Sequence, residues 1–237
     1  MASRRDQKDQ LRKEREEREA AAKSSQRRRQ LIGYGVGGAM VLVAVIVAVA
    51  LLSGGGGGNS ASADMLPAGG SFPEPQEVSS VEAAAKGAGC ELESYKAKSR
   101  EHVADLSLKI KYASKPPTSG DHYQEWADDD AYEDPPDAKE LVHTMEHGRV
   151  IVWFKKKLTA DQRASLKAYY DSDTYQLVLV PDETGMPYDV AVTAWNREPK
   201  PNGTGQLLGC PKYNDQIFTA IEAFKDENRG IGPEPVP

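Results

Sequence analysis

Hydrophobic and polar positions divide the chain into stretches with different periods. Leu31 to Leu52 (LIGYGVGGAMVLVAVIVAVALL) runs 22 residues without a charge. At about 1.5 Å rise per residue this is long enough for the roughly 30 Å hydrocarbon core of a bilayer, so it predicts one transmembrane helix. Further along, Arg149–Phe154 (RVIVWF) is a short β-branched apolar run and reads as a buried strand. Tyr175–Val180, closed by Pro181, predicts a second strand, and Val190–Trp195 a third beyond the turn at Asp182–Pro187. A further strand is expected around Leu106–Tyr112. Thr159 is placed to cap a helix with Leu166, Tyr169 and Tyr170 on one face, and Tyr213–Asn228 predicts a last helix with Ile217, Ile221 and Phe224 on one side. This order predicts an α+β domain with a small mixed or antiparallel sheet, preceded by the one transmembrane helix. Residues 113–140, rich in Pro and Asp, form a long irregular stretch of the kind that carries function.

Charge sharpens the division. Residues 1–30 hold eleven Lys or Arg against six Asp or Glu, whereas the whole chain has a formal charge of −6. The domain beyond the apolar run is therefore strongly acidic, which excludes nucleic acid as a partner, because that affinity comes from neutralising phosphates. Arg27, Arg28 and Arg29 abut the apolar run at one end, and Ser53 with five glycines follows the other. Lys and Arg stay on the cytoplasmic side, so the expectation is a single-pass protein of the cell membrane with the N-terminus cytoplasmic and the C-terminal domain extracytoplasmic. The rival is a cleaved signal with small residues at Ser60–Ala63, but its apolar region would be about 7–15 residues. The expected organisation is a basic tail over 1–30, disordered or marginally helical and able to meet anionic lipid. The transmembrane helix over 31–52 follows, then a flexible Gly/Ser/Pro tether over 53–87, then the extracytoplasmic domain over 88–235.

The chain has two cysteines, Cys90 and Cys210, both on the side where oxidation is permitted. A disulfide is the expected state. The other readings are two free thiols or thiolate metal ligands.

All four histidines, His102, His122, His143 and His147, fall within residues 102–147. His143 and His147, four apart, share one helical face, a common way to hold one cation. His122, in the turn PPTSGDHY at 116–123, or His102 supplies a third ligand. Imidazole suits Zn or Cu, and the thioethers of Met145 and Met186 would favour Cu(I). A second reading takes His143-x-x-Glu146-His147 as the inverted zinc-peptidase signature with Glu146 activating water; only in that hydrolase does the chain have a catalytic residue. Its helix is confined between Asp137 and His147, short for that motif. A third reading makes the histidines structural, one hydrogen-bonded to a carbonyl and another to a carboxylate such as Glu146, in an interaction or scaffold domain of the cell envelope.

At PPTSGDHY (116–123), Trp126, Tyr132, VHTMEHGRV (142–150), TAWN (193–196) and the Ile-x-x-Phe helix ending near Pro233-Glu234, the chain resembles a bacterial family of membrane-anchored proteins. That family is common in actinobacteria and is catalogued as domain of unknown function 3105. The resemblance covers residues 88–235. The family pattern reads S-G-P-H-Y and E-H-G-G, and this chain departs from it at Asp121 and Arg149. The resemblance implies the anchored, extracytoplasmic layout, and it implies that His102 and the two cysteines are family positions. It supplies no activity.

Overall fold

The computed structural model describes residues 64–234. The chain divides into units 1–59 and 60–237, and every described residue lies in the second. The tail 1–30, the apolar run 31–52 and the first part of the expected tether lie outside the described residues. Among the described residues no helix is long and apolar enough to cross a membrane.

The elements run α1 (Val81–Ala88), β1 (Glu91–Lys96), β2 (His102–Val103), β3 (His122–Tyr123), α2 (Ala138–Glu146), β4 (Val150–Phe154), α3 (Ala160–Ser172), β5 (Leu177–Pro181), β6 (Val190–Asn196), β7 (Thr204–Cys210) and α4 (Ile217–Asn228). Five strands form one sheet in the order β1-β7-β6-β4-β5. β4 and β5 are parallel and the other neighbours antiparallel, so the α+β domain has a mixed sheet. The parallel pair follows from α3, because a helical crossover returns the chain in the same direction. β2 and β3 form a separate parallel pair that sets His102 opposite His122.

Both faces of the sheet are covered, which explains why VIVWF of β4 is apolar without alternation. Val150, Val152 and Phe154 face α1, α3 and α4, in a core with Leu166, Phe218 and Phe224. Ile151 and Trp153 face the other way, with Trp195, Leu141, Val142 and Met145. α2 is thus the helix on the second face, and the candidate site lies beside it.

Three expectations differ from the structure. Residues 106–112 form no strand and run as turn and irregular chain. Leu106, Leu108, Ile110 and Tyr112 alternate as a strand would, but no neighbour offers a ladder. Leu106 and Leu108 stay exposed. In the other direction, β1 and β7 were not expected. β1 (ELESYK) is a charged edge strand, and β7 contains Gly205 and Gly209. A Cβ at Gly205 would lie 2.2 Å from the Thr118 hydroxyl and one at Gly209 2.4 Å from the Tyr188 ring, so close approach, not flexibility, puts glycine there. Finally, the tether expected to run to residue 87 is packed over its described part. Phe72 stacks 5.4 Å from both Tyr169 and Phe218, Leu66 is buried, and Arg163 donates to the Met65 carbonyl at 3.1 Å. Ser80 caps α1, whose Val81, Ala84, Ala85 and Ala88 are buried.

Cys90, just before β1, and Cys210, closing β7, are joined by a disulfide with Cα atoms 4.2 Å apart, and no free cysteine remains. At the opposite edge of the sheet, Asp173 ends α3 and receives Lys225 Nζ at 3.1 Å and Arg229 Nη1 at 2.7 Å. Burial raises its carboxyl, but hydrogen bonds from Arg229 and Lys225 outweigh this and hold it below the ordinary range. A depressed folded pKa contributes stability that is present above the unfolded value and lost as pH falls through the folded one. Asp173→Asn should therefore be destabilised at neutral pH and lose part of the wild-type decline below about pH 4. Urea denaturation at pH 7, 4 and 3 checks this.

Candidate metal centre

Asp137 caps α2 and completes a capping box with Glu140, fixing where the helix starts. The helix buries Leu141, Val142 and Met145 against the sheet. One turn apart on the remaining face stand His143 and Glu146. The helix stops at Gly148, whose φ of +85° is the left-handed conformation; its N–H meets the Met145 carbonyl at 2.9 Å, and Arg149 N–H meets Thr144 O at 3.3 Å. A Cβ at Gly148 would lie 3.0 Å from Gly230 Cα, and one at Gly232 would lie 2.3 Å from the Glu146 carbonyl. The C-terminal segment is thus laid against the end of the helix. Gly148→Ala combines left-handed strain with this contact and should cost about 1–3 kcal/mol, read by urea denaturation.

His102, His122, His143 and Glu146 each bring one ligand atom to a common place, all within 4.8 Å of one another. This group is one that can hold a metal ion. His102 Nε2 lies 3.4 Å from His143 Nε2 and 3.7 Å from Glu146 Oε2, and His122 Nε2 lies 3.0 Å from that same oxygen. His122, His143 and Glu146 are buried, while the His102 side chain is 45 % exposed. The rim is formed by Trp126, 54 % exposed, whose ring lies 5.5 Å from that of His143 and 5.1 Å from that of His147. Thr144 holds the Trp126 segment down by accepting the Ala127 N–H at 2.9 Å.

The backbone decides the tautomers. His122 Nδ1 faces Gly120 O at 2.8 Å, and His143 Nδ1 faces Tyr123 O at 2.7 Å. A carbonyl oxygen only accepts, so each Nδ1 carries the proton and each neutral ring presents a lone pair at Nε2. The His122 lone pair then points toward a carboxylate oxygen. The two atoms are within hydrogen-bonding distance, yet neither is aligned as a partner of the other, and both count as buried without one. Two lone pairs at this separation repel unless positive charge, a proton or a metal ion, lies between them. Carbonyl-held Nδ1 with Nε2 free is also the arrangement in which imidazole binds metal.

Burial, reinforced by the neighbouring His122, lowers the His143 pKa to about 4, so this ring is neutral at pH 7. Burial pushes the Glu146 carboxyl up, but positive charge between it and His122, together with Arg100, prevails and lowers it. Arg100 Nε donates to Glu146 Oε1 at 2.8 Å, which leaves Oε2 for the histidines. Arg100→Ala should weaken metal binding by roughly 10–100-fold, the usual effect of losing a residue that orients a ligand, in competition titrations against a chromophoric chelator.

Of the residues expected from sequence, His102, His122 and His143 come together. His147 sits one turn beyond: its Nδ1 donates to Glu234 O at 2.8 Å and its Nε2 is buried without a partner, outside the group. Its place is taken by Glu146, expected as a hydrolytic base or as the carboxylate partner of a structural histidine. Glu146 is fully buried, clasped by Arg100 and turned into the ligand group, and α2 ends at this residue. Met145, named as a soft ligand, lies in the core among Leu141 and Val142, as does Met186, because the helical face opposite the histidines is the one buried on the sheet. Neither cysteine is a ligand, since both are in the disulfide. Arg100 and Trp126 were not foreseen as site residues. Arg100 is 46 positions from Glu146, and no local pattern links them. The two departures from the family pattern have structural work: Asp121 accepts the Glu101 N–H at 3.2 Å, tying β2 to the turn before β3, and Arg149 pairs with Asp129 at 3.1 Å.

Comparison with known proteins adds one match. Residues 102–217 match the family described as protein of unknown function DUF3105. The matched span begins at His102, so it holds the whole ligand group. No curated protein and no solved structure matches the chain.

Proposed function

We propose that this chain is a membrane-anchored, extracytoplasmic metal-binding module that holds one Zn²⁺ or Cu²⁺ ion through His102, His122, His143 and Glu146. The observation that carries the reading is the convergence of Nε2 lone pairs, fixed by backbone carbonyls, on a buried carboxylate. Three imidazoles and a carboxylate suit zinc and cupric ions, and the burial of Met145 removes the thioether that would have favoured Cu(I). The site serves holding and transfer of the ion more than catalysis: three ligands are buried and fixed, and the exposed His102, on a two-residue strand, is the ligand through which the ion would exchange.

The location rests on the 22-residue uncharged run beside three arginines and on the disulfide, which suits an oxidising compartment. The basic tail would meet anionic lipid on the cytoplasmic side. The full-length chain loaded with one equivalent of Cu²⁺ tests the ligand set by electron paramagnetic resonance. The expected spectrum shows coupling to three imidazole nitrogens, falling to two in His102→Ala. A copper signal without imidazole coupling would overturn the assignment.

A further inference from the structure

A second feature, independent of the metal reading, shares no residue with the metal group. It is a cleft of about 880 Å³ between residues 107–117 and the loops at 135–139 and 181–184. This volume falls in the range of sites for small organic molecules. Its accessible apolar lining is Leu108, Ile110, Pro135 and Pro136, while Pro117, Trp153 and Pro181 line it as buried residues. Three exposed lysines, Lys109, Lys111 and Lys115, stand around it.

The charge is the informative part. The cleft has two acidic residues on its lining, and each already has a lysine: Asp137 pairs with Lys139 at 2.9 Å, and Glu183 with Lys156 at 2.8 Å. Lys109, Lys111 and Lys115 make no ion pair among the described residues. A chain with formal charge −6 thus concentrates three uncommitted cations at one concave apolar surface. Like charges brought together repel, and the two carboxylates on the cleft are already engaged by Lys139 and Lys156. The concavity separates this surface from a membrane-facing patch, which would need its apolar groups to protrude.

We infer that this cleft binds a small organic anion, its apolar body on Leu108, Ile110, Pro135 and Pro136 and its acidic group among Lys109, Lys111 and Lys115. Tyr112, another lining residue, gives its hydroxyl to the Asp121 carbonyl at 2.9 Å and lies against Gly120, so the cleft wall is rigidly joined to the metal-site turn.

The probe is naphthalene-2-carboxylate, with naphthalene-2-carboxamide as its neutral isostere, titrated calorimetrically into the full-length chain. Saturable one-to-one binding of the carboxylate is expected, at least about tenfold tighter than the carboxamide. The triple variant Lys109→Gln/Lys111→Gln/Lys115→Gln should lose that preference and keep the wild-type urea denaturation midpoint, which shows that it remains folded. Three results would overturn the inference: no saturable binding of the carboxylate at millimolar concentration, equal binding of the carboxamide, or an unchanged preference in the triple variant. Binding to anionic phosphatidylserine vesicles through the same lysines, with none to the naphthoate, would also overturn it, in favour of a lipid surface.

Discussion

His122→Ala and His143→Ala should each weaken Zn²⁺ or Cu²⁺ binding by roughly 100-fold or more, while His147→Ala should change it by less than about tenfold. The contrast matters because sequence spacing alone pairs His143 with His147. In the structure their rings are neighbours, 4.6 Å apart, but only His143 brings Nε2 into the group with His102, His122 and Glu146. His147 instead anchors the C-terminal segment through Glu234. Its loss should lower stability more than affinity. Since His122 is fully buried, its removal leaves a cavity as well as a missing ligand. His122→Gln, which keeps volume and polarity, separates the two effects: it should retain more stability than the alanine variant and no more affinity. Competition against a chromophoric chelator gives the ranking. An affinity that falls most in His147→Ala would return the site to the helical pair.

The second large effect concerns the disulfide. Cys90→Ala/Cys210→Ala should cost about 4–5 kcal/mol, since the bond spans a sequence separation of 120 and restricts the unfolded chain accordingly. Domains carry about 5–15 kcal/mol in total, so the variant loses about a third or more of its stability and should melt at a much lower temperature. The bond ties β1, an edge strand with mostly exposed side chains, to β7. β1 and the adjoining α1 should therefore be the first elements to open when it is cut. Amide hydrogen exchange on the reduced chain reads this directly: protection lost over residues 81–96 and kept over β4, β5 and β6 is the expected pattern.

These two cases show how far the sequence reaches. Two cysteines beyond an apolar run read as an anchor were enough to expect a disulfide, since their chemistry requires no knowledge of sheet topology. The strands β4, β5 and β6 were legible because they are buried on both faces and therefore apolar throughout. β1 and β7 were hidden for the same reason reversed: one is polar because it is an edge, and the other carries glycines where Thr118 and Tyr188 press against the backbone. At the site, clustering in the sequence singled out all four histidines, and the structure groups three of them with Glu146 and leaves His147 outside the group. Helical periodicity places His143, Glu146 and His147 near one another but does not say which of the last two turns inward. Arg100 and the carbonyls of Gly120, Tyr123 and Glu234 settle that choice, and all of them lie far along the chain or in backbone groups that a sequence does not display.

The central claim is that this domain holds a metal ion, and the most direct test is elemental mass spectrometry of the purified full-length chain beside His122→Ala/His143→Ala. The account predicts near-stoichiometric zinc or copper in the wild type, after reconstitution if necessary, and none in the double variant. A wild-type chain that retains no metal after reconstitution, or a variant that retains as much as the wild type, would contradict it.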